Sequence, residues 1–312
     1  MNSDILNDLR KNDLRTVSRL ISRLENETGD LDDILSLIFP YAQEAIRVGF
    51  TGPPGAGKST LIDGIIRLMR KDSKSVGVVT VDPTSPFSGG ALLGDRLRMD
   101  RHALDKKVYI RSMGTRGRTG GLARMSRHVG EILACTGKDY ILFETVGIGQ
   151  VELEVIESVD VTIVMFVPES GDEIQFMKAG PIEVGDIFVV NKADRKGARI
   201  VARTLEEYVG ESFQERQFIP KTLLSVATTG EGVEDVYGEI VGLVEKLKKL
   251  GTFSSRRRKQ YSARVRNEVR EELTRRFLGE VRENDLNRRI EQFRKNNVSP
   301  YEAARDLMAS LA

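Results

Sequence analysis

Residues 46–60 read IRVGFTGPPGAGKST, which is a short apolar segment, a glycine-rich turn and the start of a helical segment. Residues 52–59 match the pattern G-x-x-x-x-G-K-[ST] at every fixed position. Glycines let backbone N–H groups turn inward around a phosphate, and the helix N-terminus behind them adds partial positive charge. Lys58 then reaches the β- and γ-phosphates, and the Ser59 hydroxyl reaches Mg²⁺. We therefore predict a nucleoside triphosphate site. Its ligands in this loop are Gly52, Pro53, Pro54, Gly55, Ala56, Gly57, Lys58, Ser59 and Thr60.

The composition restricts the class of protein. With 312 residues, 40% of them hydrophobic, the chain is long enough for a large α/β core with additions. Its 48 basic and 46 acidic residues nearly balance, so the net charge does not indicate a particular binding partner. We expect that the protein binds neither nucleic acid nor a membrane. The single cysteine, Cys135, excludes a disulfide framework and a cysteine-based metal site. The N-terminus lacks a signal-like pattern and no apolar run is long enough to span a membrane, so we expect a cytoplasmic protein.

Nearly continuous apolar runs at 75–81, 140–147, 160–167 and 185–190 predict buried strands, and a further strand is predicted at 222–227. Two of these strands end in a carboxylate, Asp82 and Glu144. Because open parallel sheets bind ligands off the carboxyl ends of their strands, both acids are candidates for holding Mg²⁺, directly or through water. Gly147, three residues after Glu144, can donate its N–H to a γ-phosphate.

A four-residue motif directly after the strand at 185–190 predicts which base is bound. The motif consists of Asn191, Lys192, Ala193 and Asp194. A carboxylate at Asp194 accepts hydrogen bonds from guanine N1–H and its exocyclic amine, whereas adenine would leave the acid unpaired. Lys192 can lie along the base plane, and Asn191 can brace the phosphate loop. At the tip of the next strand, Val226 and Ala227 are placed so that the Ala227 N–H can donate to the guanine carbonyl. The predicted nucleotide is GTP.

The rest of the chain carries less chemistry. Helical periodicity predicts an N-terminal helical extension at 1–45 and an Arg/Glu-rich helical arm at 251–312. The motifs and strands between them predict a nucleotide domain at 46–250. The dense basic residues between 96 and 127 can face phosphates, an acidic partner or only solvent. His102 and His128 are predicted to be isolated surface or packing residues, and Cys135 a core thiol.

At this point the sequence resembles the MeaB/ArgK family of GTPases, known as accessory proteins of adenosylcobalamin-dependent methylmalonyl-CoA mutase. The resemblance covers nearly the whole chain. It rests on the phosphate loop at 52–60, on VDPTSPFSGGALLGDR at 81–96, on ETVG at 144–147 and on NKAD at 191–194. The second of these segments is the most specific to the family because it is long and unusual.

The resemblance implies a P-loop GTPase of the SIMIBI class. The expected fold is α/β, a three-layer α/β/α arrangement around a mostly parallel sheet, with helical N- and C-terminal extensions. Asp82, Asp95 and Glu144 match the acidic residues around Mg²⁺, and together with Lys58 they are the expected catalytic residues.

The resemblance also implies a partner. The expected activity is hydrolysis of GTP coupled to a chaperone role toward the mutase, in which the cofactor is delivered and the mutase is protected and reactivated. The loop that holds Asp172, Gln175 and Lys178 matches a third switch that signals to the mutase, and the C-terminal arm matches an element that forms a homodimer.

The sequence departs from the patterns of related GTPases at two positions, and three alternative functions remain open. Ile148, not a glutamine, follows Gly147, with Gln150 two residues further on, so unaided hydrolysis is expected to be slow. Ser225-Val226-Ala227 lacks the serine that usually precedes the alanine in related proteins. The alternatives are a metallochaperone GTPase such as a nickel-insertion protein, a kinase or ATPase of an amino-acid transport system, and a GTP-binding scaffold that does not hydrolyse its ligand.

Overall fold

The computed structural model of the chain describes residues 2–26, 28, 31–82, 100–102, 104–114, 121–145, 155–168, 181–213, 218–280, 283–296 and 298–309. The chain divides into two compact units, Met1–Phe253 and Ser254–Ala312. The N-terminal helices fall within the first unit, whose core they share. The division at 45/46 and at 250/251 that the sequence suggests stays a prediction.

The first unit begins with helices and then alternates strands with helices. Its elements are α1 (Asn2–Arg10), α2 (Leu14–Glu25), α3 (Asp32–Ala42), β1 (Ile46–Thr51), α4 (Lys58–Lys71), β2 (Val76–Asp82), a 3₁₀ turn (Asp100–His102), β3 (Val108–Gly114), α5 (Gly121–Cys135), β4 (Tyr140–Glu144), β5 (Val161–Phe166), α6 (Pro181–Val184), β6 (Ile187–Asn191), α7 (Ala198–Ser212), β7 (Lys221–Ser225) and α8 (Val233–Lys249). The helices that follow are α9 (Thr252–Glu280), α10 (Glu283–Lys295) and α11 (Pro300–Ala309). Within the described residues, no helix has the length and apolar character needed to cross a membrane.

The seven strands form one sheet in the order β3-β2-β4-β1-β5-β6-β7, and every pair of neighbours is parallel. The central strand β1 lies between β4 and β5. The strands β2, β3 and β4 lie on one side of β1 and the strands β5, β6 and β7 on the other, so the order of the strands reverses beside β1. In open α/β sheets that is where ligands bind. The sheet therefore brings the phosphate loop, which follows β1, to the expected place for a ligand.

Helices cover both faces of the sheet, as the predicted three-layer fold requires. On one face α4 and α8 pack against alternate residues of the central strands, such as Phe50, Leu142 and Ile163. On the other face α1, α2, α3 and α5 cover β2 and β4, while α7 covers β5 and β6. Because both faces are buried, the central strands read as continuous apolar runs rather than as alternating patterns.

The sequence prediction missed one strand. β3 pairs with β2 at the edge of the sheet, inside the stretch that was interpreted only as a basic segment. Most of its residues are only partly buried, and Arg111 forms an ion pair with Glu25 at the end of α2. An edge strand with a charged, half-buried face lacks the apolar run on which the other strand predictions depended.

Three aspartates hold the beginnings of neighbouring strands in register. Asp139, Asp160 and Asp186 each directly precede a strand. Asp160 donates its N–H to the carbonyl of Arg47 at 2.9 Å, and its carboxylate accepts the Arg47 N–H at 2.8 Å. Asp186 forms the same pair of bonds with Thr162, and Asp139 forms it with Ser75. A parallel pair cannot be fixed by a hairpin, so these contacts hold the register at the amino ends of the strands.

We predict that Asp160→Ala lowers the free energy of unfolding by about 1–3 kcal/mol, because the Arg47 N–H loses its acceptor in a buried setting. Asp160→Asn should lower the free energy of unfolding by less, since an amide oxygen can still accept this hydrogen bond. Urea unfolding of the two variants measures the difference. Equal losses, or an alanine variant as stable as the wild type, would show that the carboxylate does not fix this strand.

Candidate functional site

The phosphate loop runs from the end of β1 to the start of α4, and three of its glycines have positive φ angles. A side chain at Gly52 (φ 149°) would place its Cβ 2.6 Å from the carbonyl oxygen of Met165 on β5. At Gly57 (φ 89°) a Cβ would lie 2.4 Å from Nδ2 of Asn191. Gly55 (φ 76°) has open space around it, so only its backbone angle calls for glycine. The loop therefore passes too close to β5 and β6 for any other residue at two positions.

Lys58 is the first residue of α4 and is buried, with 6% of its surface exposed. Its Nζ donates hydrogen bonds to the carbonyl oxygens of Gly52 at 2.8 Å and Pro53 at 3.0 Å. These two carbonyl acceptors orient the ammonium group against the loop. A positive charge fixed against the loop and next to a helix N-terminus is suited to an anionic phosphate.

Ser59 and Glu144 meet although they are 85 residues apart in the chain. The Ser59 hydroxyl donates to Oε1 of Glu144 at 2.6 Å, and both residues are about 95% buried, with 4% and 5% exposed. The pair forms because Glu144 ends β4, which lies beside β1, and Ser59 is the second residue of the helix that follows β1. A hydroxyl and a carboxylate oxygen at this distance are the hard ligands that Mg²⁺ prefers.

The remaining acidic candidates are less fully described. Asp82 ends β2, where it pairs with Gly114 of β3, so its backbone lies at the carboxyl edge of the sheet. Its side chain, and all of Asp95, lie outside the described parts of the chain. The same is true of Gly147 and of the predicted coupling residues Asp172, Gln175 and Lys178. Their roles stay predictions.

Asn191, at the end of β6, connects three segments of the site. Its Nδ2 donates to the carbonyl oxygen of Ala56 in the phosphate loop at 2.7 Å, which is the brace that the sequence predicts. Its Oδ1 accepts the Ser225 hydroxyl at 3.1 Å and the Ala227 N–H at 3.0 Å. The Ala227 N–H predicted to reach the guanine carbonyl thus donates to Asn191 here, and its contact with a base stays a prediction.

The two residues predicted to read the base follow Asn191 in a tight turn. Lys192 has a φ of 57°, and its carbonyl accepts the N–H of Arg195 at 2.9 Å. Ala193 donates its N–H to the carbonyl of Ser225 at 3.0 Å, so β7 holds the turn in place. Asp194 is exposed at the surface of this turn, where a ligand can reach it. Val226 is buried and forms a bridge with Glu231.

Sequence reasoning missed the part that Ser225 takes in this site. It noted the residue only because the segment departs from the pattern of related proteins. In the structure Ser225 is 1% exposed and holds both Asn191 through its hydroxyl and Ala193 through its carbonyl. One signal could have identified this role: Ser225 ends β7, which is the strand that follows the Asn191–Asp194 motif.

Both histidines are buried, which fits the packing role that was one of the two predicted possibilities, but each also has a carboxylate partner. His102 is 8% exposed and its Nε2 lies 3.0 Å from Oδ1 of Asp63, and Nδ1 of His128 lies 3.2 Å from Oε2 of Glu131. The carboxylate partner of His102 could not be identified from spacing along the chain, because Asp63 lies 39 residues earlier. Cys135 is buried, as predicted, and burial raises the pKa of its thiol to about 11. That thiol is therefore a poor nucleophile at neutral pH.

The chain is similar in sequence to known GTPases. Residues 17–282 match the family described as methylmalonyl Co-A mutase-associated GTPase MeaB. The chain is 38% identical to a protein of Pyrococcus abyssi named as a GTPase, over 97% of this chain and 95% of that protein. It is 31% identical to GTPase ArgK of Escherichia coli, over 88% of this chain and 84% of ArgK.

Two further similarities complete the comparison. The mouse protein named methylmalonic aciduria type A homolog, mitochondrial, is 34% identical over 74% of this chain and 57% of its own length. A crystal structure of an LAO/AO transport system kinase superposes with a TM-score of 0.75 at 24% identity, covering 99% of this chain and 97% of the other, which supports the fold. The family match over most of the chain and these relatives show that the chain belongs to the MeaB/ArgK family of GTPases.

Proposed function

We propose that this GTPase requires Mg²⁺ and acts as a chaperone of an adenosylcobalamin-dependent methylmalonyl-CoA mutase or a related acyl-CoA mutase. The contact that supports the hydrolytic part most directly is the hydrogen bond between Ser59 and Glu144 at the head of α4. The family description and the name of the mouse relative support the partner.

The proposed mechanism assigns each residue a separate task. Lys58 supplies positive charge to the β- and γ-phosphates. Ser59 and Glu144 would hold Mg²⁺, which when bound neutralises charge that develops on the phosphates. Glu144 would also orient the attacking water, because its carboxylate is fixed at the carboxyl edge of β4. Asp82 and Asp95 are proposed as further acidic residues of the magnesium site.

We also propose a homodimer formed through the C-terminal helices. Four large apolar side chains of α9 recur every four residues and are exposed: Tyr261 (55%), Val265 (43%), Val269 (53%) and Leu273 (64%). Residues at this spacing share one side of a helix. An exposed apolar stripe of this kind is suited to the same stripe on a second copy.

The alternative of a transport kinase has one observation in its favour, the name of the structural neighbour. That likeness supports the fold alone. Preference for adenine over guanine nucleotides in a binding assay would favour this alternative, and preference for guanine would favour the chaperone.

We expect the purified protein to hydrolyse GTP slowly by itself and faster with the host's mutase. Hydrolysis without the partner should be slow because positioning and charge stabilisation carry most of the catalysis of phosphoryl transfer. The gain from the mutase should be smaller than the roughly 10³-fold or greater stimulation seen in well-studied GTPases. Lys178→Ala should keep basal turnover but lose stimulation, and Lys249→Ala, an exposed lysine at the end of α8, is the matched control. Full stimulation of the Lys178 variant would contradict the coupling role of its loop.

Asp194→Asn should weaken GTP binding by about 1–3 kcal/mol, because an amide cannot accept both hydrogen bonds from the guanine edge. Xanthosine triphosphate, which presents an acceptor where guanine has its amine, should then bind the variant better than GTP does. Titration with fluorescent analogues of both nucleotides measures this exchange. A variant that keeps the affinity and preference of the wild type would remove Asp194 from the base site.

Lys58→Ala should abolish tight nucleotide binding, whereas Lys71→Ala at the other end of the same helix should leave binding unchanged. Glu144→Ala should instead spare binding and lower turnover on the order of 100-fold, because its proposed contacts are to Mg²⁺ and water. Equilibrium binding and phosphate release, measured on the same preparations, separate the two effects. If both variants lost binding equally, the two residues would not have distinct tasks.

A further inference from the structure

The turn between α1 and α2, residues 11–13, is fastened to the amino edge of the sheet by one side chain. Asn12 has a φ of 57°, in the left-handed region that asparagine tolerates better than most residues. Its Nδ2 donates to the carbonyl oxygen of Lys106 at 3.3 Å, and its Oδ1 accepts from Nζ of Lys138 at 3.2 Å. These two lysines lie two positions before β3 and β4. The N-terminal helices are thus joined to the starts of two strands.

Lys138 is buried beneath this turn, with 4% of its surface exposed. Among the described residues, its ammonium group has one hydrogen-bond partner, the neutral amide oxygen of Asn12, and no carboxylate within ion-pair distance. Removing an ammonium group from water is costly when no opposite charge replaces the water. Access to solvent or loss of the proton would each relieve that cost.

The charges around Lys138 add to the effect of burial. Burial is the largest cause that lowers the pKa of Lys138 to about 8, and the positive charges of Lys107 and Arg70 lower it further. Asp105 opposes this shift, but its carboxylate is already paired with Arg70 at 2.7 Å. The carboxylate of Asp139, the next residue in the chain, is occupied by the register bonds at the start of its strand. The surroundings therefore favour the neutral amine.

We infer that the α1–α2 turn is a proton-sensitive cover over Lys138, which is held firmly when Lys138 is neutral and lifts more readily when Lys138 is charged. Lifting the turn breaks the contact with Asn12 and admits water, which stabilises an ammonium group far more than a neutral amine.

The direction of the pH dependence follows from this difference. The closed turn binds fewer protons at Lys138 than the lifted turn, because its pKa is about 8 when buried and 10.5 in water. Below the lower value Lys138 is charged in both states, so the cost of closing is constant. Between the two values the closed state gains stability as the pH rises.

Cys135 can report when the turn lifts. It is the single cysteine of the chain and is 1% exposed, in the core that the N-terminal helices share with α5. Burial raises the pKa of its thiol to about 11, and the charge of Arg10, the last residue of α1, opposes that rise. Because the end of α1 lies this close to the thiol, we expect a thiol reagent to reach Cys135 when the turn and the end of α1 lift.

The test measures how fast dithiodipyridine modifies Cys135 in the full-length protein, as the ratio of the wild-type rate to the Lys138→Met rate at each pH. Both proteins share the titration of the thiol, so the ratio removes it. Methionine keeps an unbranched side chain of similar length but carries no charge. The wild type should react faster than the variant at about pH 7.5, and the ratio should fall about tenfold by about pH 9.5.

Two further variants separate the cover from other effects of charge. Asn12→Ala should speed the modification and weaken its pH dependence, because Lys138 then meets water more easily. Lys11→Met, which removes an exposed lysine of the same turn, is the matched control and should keep the wild-type profile. If Lys138→Met fails to fold, Lys138→Arg takes its place. Its guanidinium stays charged, so the wild type should become slower relative to it by the same factor as the pH rises.

The inference does not depend on the proposed function, because none of these measurements uses GTP. A ratio that stays constant between about pH 7.5 and about pH 9.5 would refute the cover. An equal change in the Lys11→Met variant would refute it as well, since the effect would then belong to the net charge of the turn. Urea unfolding at each pH gives the rate expected from global unfolding alone. A wild type modified no faster than that rate would show that the turn does not lift by itself.

Discussion

The close passage of the phosphate loop between β5 and Asn191 is the constraint on which the rest of the structure depends. A Cβ at Gly52 would meet the backbone of Met165, and a Cβ at Gly57 would meet the side chain of Asn191. The loop is therefore held by groups from two strands that come more than 100 residues later. Asn191 completes this arrangement because its amide bonds the loop on one side and β7 on the other. The phosphate loop and the Asn191–Asp194 motif are consequently parts of one hydrogen-bonded structure.

The parallel sheet explains why the charged residues meet where they do. Its strands begin in register because Asp139, Asp160 and Asp186 exchange paired hydrogen bonds with their neighbours. Because the amino ends of the strands are fixed, the positions of their carboxyl ends are fixed as well. Glu144 ends β4 beside the last residues of β1. The Ser59 hydroxyl can then reach its carboxylate. Structural aspartates at the amino ends of the strands thus help to fix the position of Glu144 at the carboxyl end of β4.

The first helix after the loop links the phosphate loop to the rest of the first unit. Its N-terminus carries Lys58 and Ser59, and its polar side carries Asp63 and Arg70. Apolar residues of the same helix, such as Ile62 and Ile65, pack in the core against the sheet. A helix held on one side by packing and on another by ion pairs has little freedom to shift without changing those contacts. The packing and the polar contacts therefore hold Lys58 and Ser59 in place at the carboxyl end of β1.

The amino-acid sequence by itself determined the features that depend on neighbours along the chain. The phosphate loop, the Asn191–Asp194 motif, the buried central strands and the family are all readable from local patterns, since glycine spacing and apolar runs are properties of short segments. Only the tertiary structure decided that Ser59 bonds Glu144, that Ser225 holds Asn191 and that His102 meets Asp63. It also revealed β3, whose half-buried edge position leaves no apolar run. These contacts join residues 34 to 85 positions apart, and their partners are chosen by strand order and register, which no short segment contains.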